Sequence, residues 1–275
     1  MKLVSFSAQH RITRPGALLA DGSVADLSAA GFPDALSVIA AGHTSCENCP
    51  VLPASQIRLR APLANPPRVI AIGLNYRDHA KESGMAIPTT PVVFFKQTTA
   101  IIGPGDTIIL PKNSTEPDYE AEFAFVIGKG GYRIPASAWR DHVYGYTIVN
   151  DVSARDVQFA SSQWSMSKSF PTFCPLGPAI VTADEIPDPH QLDISLTIDG
   201  ETLQHSNTRE LVFKIPELIE YLSSITPLLP GDIVSTGTPP GVGLGRTPKR
   251  WLKPGETVTV TIDSLGSLAN PVAAE

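Results

Sequence analysis

"EPDYEAEFAFVIGKGG", residues Glu116 to Gly131, begins with carboxylates at every second position and then turns apolar. In an extended strand alternate side chains share a face. Glu116, Asp118, Glu120 and Glu122 would therefore crowd one side of a strand that ran this far. Phe123, Phe125 and Ile127 take the opposite face, and Ala124 and Val126 continue the acidic face inward, a pattern that reads as a strand entering a core. No Lys or Arg lies among the four acids. Burial and mutual repulsion push such carboxyls toward their neutral forms, and a divalent cation is a compact partner that keeps several ionised. The pattern alone fits a solvated acidic edge equally well.

Strand-like stretches continue on both sides: "VIAIGLN", "VVFFKQ", "DTIILP", "YGYTIVND", "DISLTIDG", "DIVSTG" and "TVTVTID". Three of them follow Pro-Gly punctuation, in which Pro sets φ and Gly permits the turn. Helical patterns are fewer, at "FPDALSVIAAG", "ARDVQFASSQW" (Ala154 to Trp164) and "KIPELIEYLSSI", and 26 prolines argue against a long-helix fold. The Pro-rich "RAPLANPPRV" reads as a linker. The expected organisation is a small N-terminal domain over residues 1–62 and a larger domain over 63–275, mainly β with α.

A chain of 275 residues with 42% hydrophobic content can bury a sizeable core. A net charge of -6 and a pI near 5.5 give no footprint for nucleic acid, and no apolar run reaches membrane-spanning length. The N-terminus lacks a signal-peptide pattern and three Cys cannot all pair internally, so a reducing cytoplasm is expected. Cys46 and Cys49 in "HTSCENCP" have CxxC spacing, but zinc needs a second paired element that the sequence lacks. A polar surface loop is the expectation there. "GVGLG", Gly241 to Gly245, fails the spacing of dinucleotide and phosphate loops and is expected to be a loop as well.

Glu120 and Glu122 lie nearest the apolar strand and point together. "YGYTIVNDVSARDVQ" supplies a third oxygen at Asp151, at the end of an alternating strand. Three carboxylates without His or Cys select a hard cation, Mg²⁺ or Mn²⁺, with Ca²⁺ also accommodated. His79 and Glu82 in "NYRDHAKESG" are one helical turn apart; a Glu beside His can raise its basicity and make a general base, or the pair can be an ordinary exposed turn. Lys168, in a segment with few other charges, is a candidate proton donor or oxyanion stabiliser. Arg155 and Gln158 could hold a substrate carboxylate and carbonyl, and Thr238 ends a strand at a loop open to a ligand.

Together, "GLNYRDHAKE", "VVFFKQTTAIIGPGD", "EPDYEAEFAFVIGK", "NDVSARDVQ", "KSFPTFCPLGP" and "GDIVSTGTPPGVG" resemble the fumarylacetoacetate hydrolase family, in order and over about residues 68–265. The resemblance implies a mixed β-roll or barrel-like catalytic domain, commonly a homodimer, with Glu120, Glu122 and Asp151 as metal ligands. It implies His79 and Glu82 as a catalytic dyad on a lid, Lys168 as a catalytic lysine, and Arg155, Gln158 and Thr238 at the substrate. The expected activity is metal-dependent hydrolysis of a carbon-carbon bond in an acylpyruvate or related β-diketo acid. The alternatives are decarboxylation of an oxaloacetate-like acid, isomerisation of a hydroxymuconate-type diacid, or keto-acid binding without catalysis. One position departs from the family pattern: Pro171 stands where "KSFDTFCPLG" has Asp, which bears on the neighbouring loop and on substrate preference.

Overall fold

A computed structural model describes residues 1–8, 12–84 and 86–275, with Ser83 described by its backbone alone. The strands used below are β1 (Lys2–Ser7), β2 (Val69–Gly73), β3 (Val92–Lys96), β4 (Ala121–Ile127), β5 (Val143–Asn150), β6 (Cys174–Thr182), β7 (Asp193–Ile198), β8 (Ile233–Ser235) and β9 (Thr257–Ile262). The helices are α1 (Ala35–Ala40), α2 (Arg77–Ser83), α3 (Arg155–Gln158) and α4 (Ile215–Ile225). The largest sheet runs from three short N-terminal strands through β1, β6, β5, β4, β8, β2 and β3. A five-stranded sheet contains β7 and β9, and no sheet closes into a barrel among the described residues.

The apolar half of the opening stretch is β4, buried at all seven positions near the middle of the large sheet. Its alternation divides two cores. Phe123, Phe125 and Ile127 join Ile194, Leu196, Val258 and Val260 of the five-stranded sheet and Leu218 and Leu222 of α4. Ala124 and Val126 face Leu3, Leu27, Val38 and Ile39 from the N-terminal segment. Full burial of each Phe is worth roughly 1.5–3 kcal/mol, which fixes the register of β4 and with it the direction of the acids at its head. The N-terminal strands are hydrogen-bonded into this sheet, with Leu3 of β1 opposite Ile180 of β6.

The strand does not extend back through all four acids. Pro117–Asp118 forms a separate two-residue strand paired with Ser153–Ala154, and β4 starts only at Ala121. The chain turns between them, so the four acids do not share one face. The helix expected over Ala154 to Trp164 is likewise only α3, four residues long. Beyond it, Ser161 donates to the Gln163 carbonyl at 3.1 Å and accepts from the Gln163 N–H at 3.2 Å. Such local side-chain bonds compete with helix continuation. α1 and α4 form where their patterns predict, α4 burying Ile215, Leu218, Ile219 and Leu222 on one face.

Candidate active site

Antiparallel pairing of β4 with β5 sets Ala121 opposite Asn150, and the Asp151 N–H donates to the Glu120 carbonyl at 2.9 Å. The ends of these two strands therefore carry Glu120, Glu122 and Asp151 to one point. One carboxylate oxygen from each lies within 4.8 Å of the other two, and all three residues are buried. β8 lies on the other side of β4, so Glu122 accepts from the Ser235 hydroxyl at 2.6 Å and the Gly237 N–H at 3.1 Å.

The cationic partners that the local sequence lacks arrive from elsewhere. Lys168 donates to Glu120 at 2.7 Å and to Asp151 at 2.9 Å. Lys96, at the end of β3, donates to the other oxygen of Asp151 and to the Lys168 carbonyl. Arg155 spends its Nε on Asp118 at 2.9 Å, its Nη1 on Gln158 at 2.8 Å and its Nη2 on Glu120. Asp118 is thus turned away from the three-carboxylate cluster, and Glu116 is only half-buried on the approach.

Burial alone would raise the Glu120 carboxyl, but Arg155 and Lys168 outweigh it and hold Glu120 well below the usual carboxylate range. Glu122 goes the other way, pushed up by burial and then by the charges of Asp151 and Glu120. Its two hydrogen-bond donors are neutral. An oxygen-only, converging set with one carboxylate still repelled by its neighbours fits a hard divalent cation. Lys168 is fully buried, yet Asp151 and Glu120 overcome the desolvation and keep it an ammonium.

A partly open cleft with a cavity of about 60 Å³ gathers Glu120, Glu122, Lys168, Arg155, Gln158, Thr238 and His79, walled by Phe94 and Trp164. All the residues singled out in the sequence are therefore together at this cleft except Asp151, which sits behind Lys168, and Glu82, which lines the adjoining mouth. His79 Nδ1 and Glu82 Oε2 are 3.1 Å apart on α2. Thr238 accepts from Gln204 at 2.9 Å. The Lys168 ammonium lies 5.2 Å from the centre of the Phe94 ring. The mouth is mostly apolar, with Leu74, Phe159, Val242 and Leu244. Pro171 is exposed in the turn from Phe170 to Phe173 and lies outside this lining.

Lys96, Ser235 and Gly237 were not legible as site residues. The only signal for Lys96 was a lone charge closing the apolar run "VVFFK". Cys46, Cys49 and Cys174 are free thiols, and neither Cys46 nor Cys49 joins a metal-ligand cluster among the described residues.

The family described as fumarylacetoacetate (FAA) hydrolase C-terminal matches residues 68–273, which include every residue of this cleft. The chain belongs to that family. Among relatives, the Bos taurus protein named oxaloacetate tautomerase FAHD2A, mitochondrial, is 48% identical over 225 residues, covering 81% of this chain and 72% of its own. The crystal structure of 5-carboxymethyl-2-hydroxymuconate delta-isomerase from Mycobacterium smegmatis superposes with a TM-score of 0.85 at 35% identity, covering 100% of both chains. Fumarylacetoacetate hydrolase from Exiguobacterium antarcticum superposes with a TM-score of 0.90 at 35% identity, again covering 100% of both chains. This family fold thus carries tautomerase, isomerase and hydrolase names on similar chains. No helix of the described residues is long and apolar enough to cross a membrane.

Proposed function

We propose that this chain is a divalent-cation-dependent tautomerase of small 2-oxo diacids, interconverting the keto and enol forms of an oxaloacetate-like substrate. The observation that carries this reading is that two proton carriers, His79 and Lys168, line one small cleft beside the carboxylate cluster. Beyond polarisation of the 2-oxo group, tautomerisation needs a base to take a proton from C3 and an acid beside the C2 oxygen. The 48% identity to a protein named oxaloacetate tautomerase supports this reaction among those the geometry permits.

Mg²⁺ or Mn²⁺ held by Glu120, Glu122 and Asp151 would supply Lewis-acid polarisation of the adjacent oxygens of a 2-oxo acid. His79, supported by Glu82, takes the proton from C3. The Lys168 ammonium, 2.7 Å from Glu120, faces the negative charge that develops on the C2 oxygen and donates the proton that makes the enol. The reverse transfers restore the keto form, so no atom is lost overall. Gln158 and Thr238 orient the substrate. Arg155, already bonded through all three nitrogens, orients Gln158 through its 2.8 Å bond and can meet substrate only with the remaining hydrogens of Nη1 and Nη2. A cytoplasmic location and a homodimer are part of the same proposal, and the homodimer rests on the family resemblance alone.

Hydrolysis of an acylpyruvate is the second reading. The apolar mouth of Leu74, Phe159, Trp164 and Val242 favours it, because that wall suits an acyl chain longer than a four-carbon diacid. The deciding experiment follows enol oxaloacetate by ultraviolet absorbance and NMR with Mg²⁺ or Mn²⁺, alongside acylpyruvates, fumarylpyruvate and hydroxymuconate-type diacids. Faster enol-keto equilibration than in buffer, with no pyruvate released, is expected. Cleavage of acylpyruvate without such acceleration would replace the tautomerase by the hydrolase.

A further inference from the structure

"GVGLG" has no phosphate-loop spacing, yet its backbone N–H groups are spent on carboxylates. The Gly241 N–H lies 3.0 Å from one oxygen of Glu82 and 3.2 Å from the other. Two residues on, Gly243 N–H donates to Asp118 Oδ1 at 2.7 Å and Leu244 N–H to Asp118 Oδ2 at 3.0 Å. Asp118 also takes the Arg155 Nε–H at 2.9 Å, so its buried charge is balanced.

We infer that the Gly241–Gly245 loop is a clasp that positions Glu82, and through it His79, over the acidic centre, with Asp118 as its anchor. The inference rests on the reading of His79 as the proton carrier for its catalytic meaning, but the clasp itself is geometric.

The three glycines differ in what a side chain would meet there. Gly241 has φ of +100°, and a Cβ there would lie 2.1 Å from the Leu203 carbonyl. At Gly243 a Cβ would lie 2.0 Å from the Arg250 carbonyl and 2.7 Å from Asp118 itself. Gly245 is different: the three atoms nearest to a Cβ there all belong to the Glu82 carboxyl group, at 3.1 to 3.2 Å. The loop backbone thus comes close enough to Glu82 that one methyl group would push the carboxylate. Arg246 holds the far side of the loop, donating to the Gly241 carbonyl at 3.2 Å and the Leu203 carbonyl at 2.7 Å.

Glu82 is shared. It is bonded to His79 at 3.1 Å, and although burial raises its carboxyl, the bonds from His79 and the Gly241 N–H bring it below the usual value. The same chain segment reaches the other centre a few residues earlier, where Ser235 and Gly237 hold Glu122. One short stretch, 235 to 245, therefore sets the distance between the carboxylate cluster and the dyad, and displacement of a reacting group by a fraction of an ångström is enough to slow proton transfer.

The test uses Gly245→Ala and Asp118→Asn in the full chain, read by amide hydrogen exchange over residues 77–83, by Mg²⁺ affinity from calorimetry, and by turnover. Gly245→Ala is expected to speed exchange in α2 about tenfold and lower kcat about tenfold, with KM and Mg²⁺ affinity changed less than about twofold. Asp118→Asn should also speed exchange in α2 by loosening the anchor, but with Mg²⁺ affinity and KM shifted as well, because Arg155 loses a charged partner beside Glu120 and Gln158; Gly245→Ala therefore decides the clasp. Unchanged exchange in Gly245→Ala overturns the clasp. Should the wild-type protein turn over no 2-oxo acid, the exchange measurement still decides the clasp, and only the proposed reaction fails.

Discussion

The Lys96 ammonium and the Asp151 carboxylate are paired where neither side chain has any solvent exposure. Lys96 also reaches the Val152 carbonyl at 3.3 Å and the Lys168 carbonyl, so it ties the end of β3 to the loop after β5 and to the segment that carries Lys168. A buried ion pair is costly to break from one side, because the remaining charge is left without its partner. Lys96→Met, which keeps the stem and removes the charge, should cost about 3–5 kcal/mol in a denaturant titration. A loss below about 1 kcal/mol would mean that Asp151 is held by Lys168 alone.

Glu122 is the carboxylate that its neighbours repel, and its donors, Ser235 and Gly237, are neutral. Glu122→Gln keeps an oxygen for both donors and removes the repulsion. The metal-free variant should be at least as stable as wild type, while Mg²⁺ affinity falls about tenfold or more as a charged oxygen ligand is lost. Thermal melts with chelator and with Mg²⁺ separate the two effects. A variant that still gains as much stability from Mg²⁺ as wild type would take Glu122 out of the cation site.

The dyad can be isolated from the cation site because α2 comes from a different part of the chain. His79→Gln should reduce enol-keto equilibration by about 10² to 10⁴-fold, the usual range for loss of a general base, with Mg²⁺ affinity retained. Glu82→Gln should lower the same rate less, since the imidazole remains. Turnover in His79→Gln equal to wild type would remove His79 from the chemistry.

His190 supplies a pH dependence remote from the cleft. Its Nε2 lies 3.3 Å from the Ile215 N–H at the start of α4, an acceptor role that requires the unprotonated nitrogen. Burial first, and then Lys214, push its pKa below the usual value of 6.5, with Arg140 acting in the same sense and Asp188 and Glu217 opposing. The folded form therefore binds its proton less readily than the unfolded chain. This contribution to stability is fully present above about pH 6.5 and is lost as pH falls from there toward the folded pKa. His190→Gln, whose amide oxygen can accept the same N–H, should lose less stability than wild type between pH 7 and pH 5.5 in urea titrations. Parallel losses would assign the acid sensitivity to other groups.

Much of the cleft was legible because the relevant spacings are local. Glu120 and Glu122 alternate into an apolar strand, Asp151 closes another, and His79 and Glu82 are one helical turn apart, so period alone put each pair on a common face. The two cores divided by β4 follow from the same alternation. What the local pattern left open was set by contacts made elsewhere: the four acids do not share one face, and Asp118 pairs with Arg155 and the Gly243 and Leu244 N–H groups.

The sequence by itself determined which residues are acidic, which strand carries them into the core, and which family the motifs resemble, because all three depend on order and spacing along the chain. Only the tertiary structure decided how those charges are balanced. Lys96, Arg155 and Lys168 stand 55, 35 and 48 positions away from the carboxylates they meet at Asp151, Glu120 and Glu120. Gly241 lies 159 positions from Glu82. Side chains at such separations meet only because strand pairing in the large sheet closes the loops between them, and no periodicity in the chain records where a distant ammonium or backbone N–H will arrive.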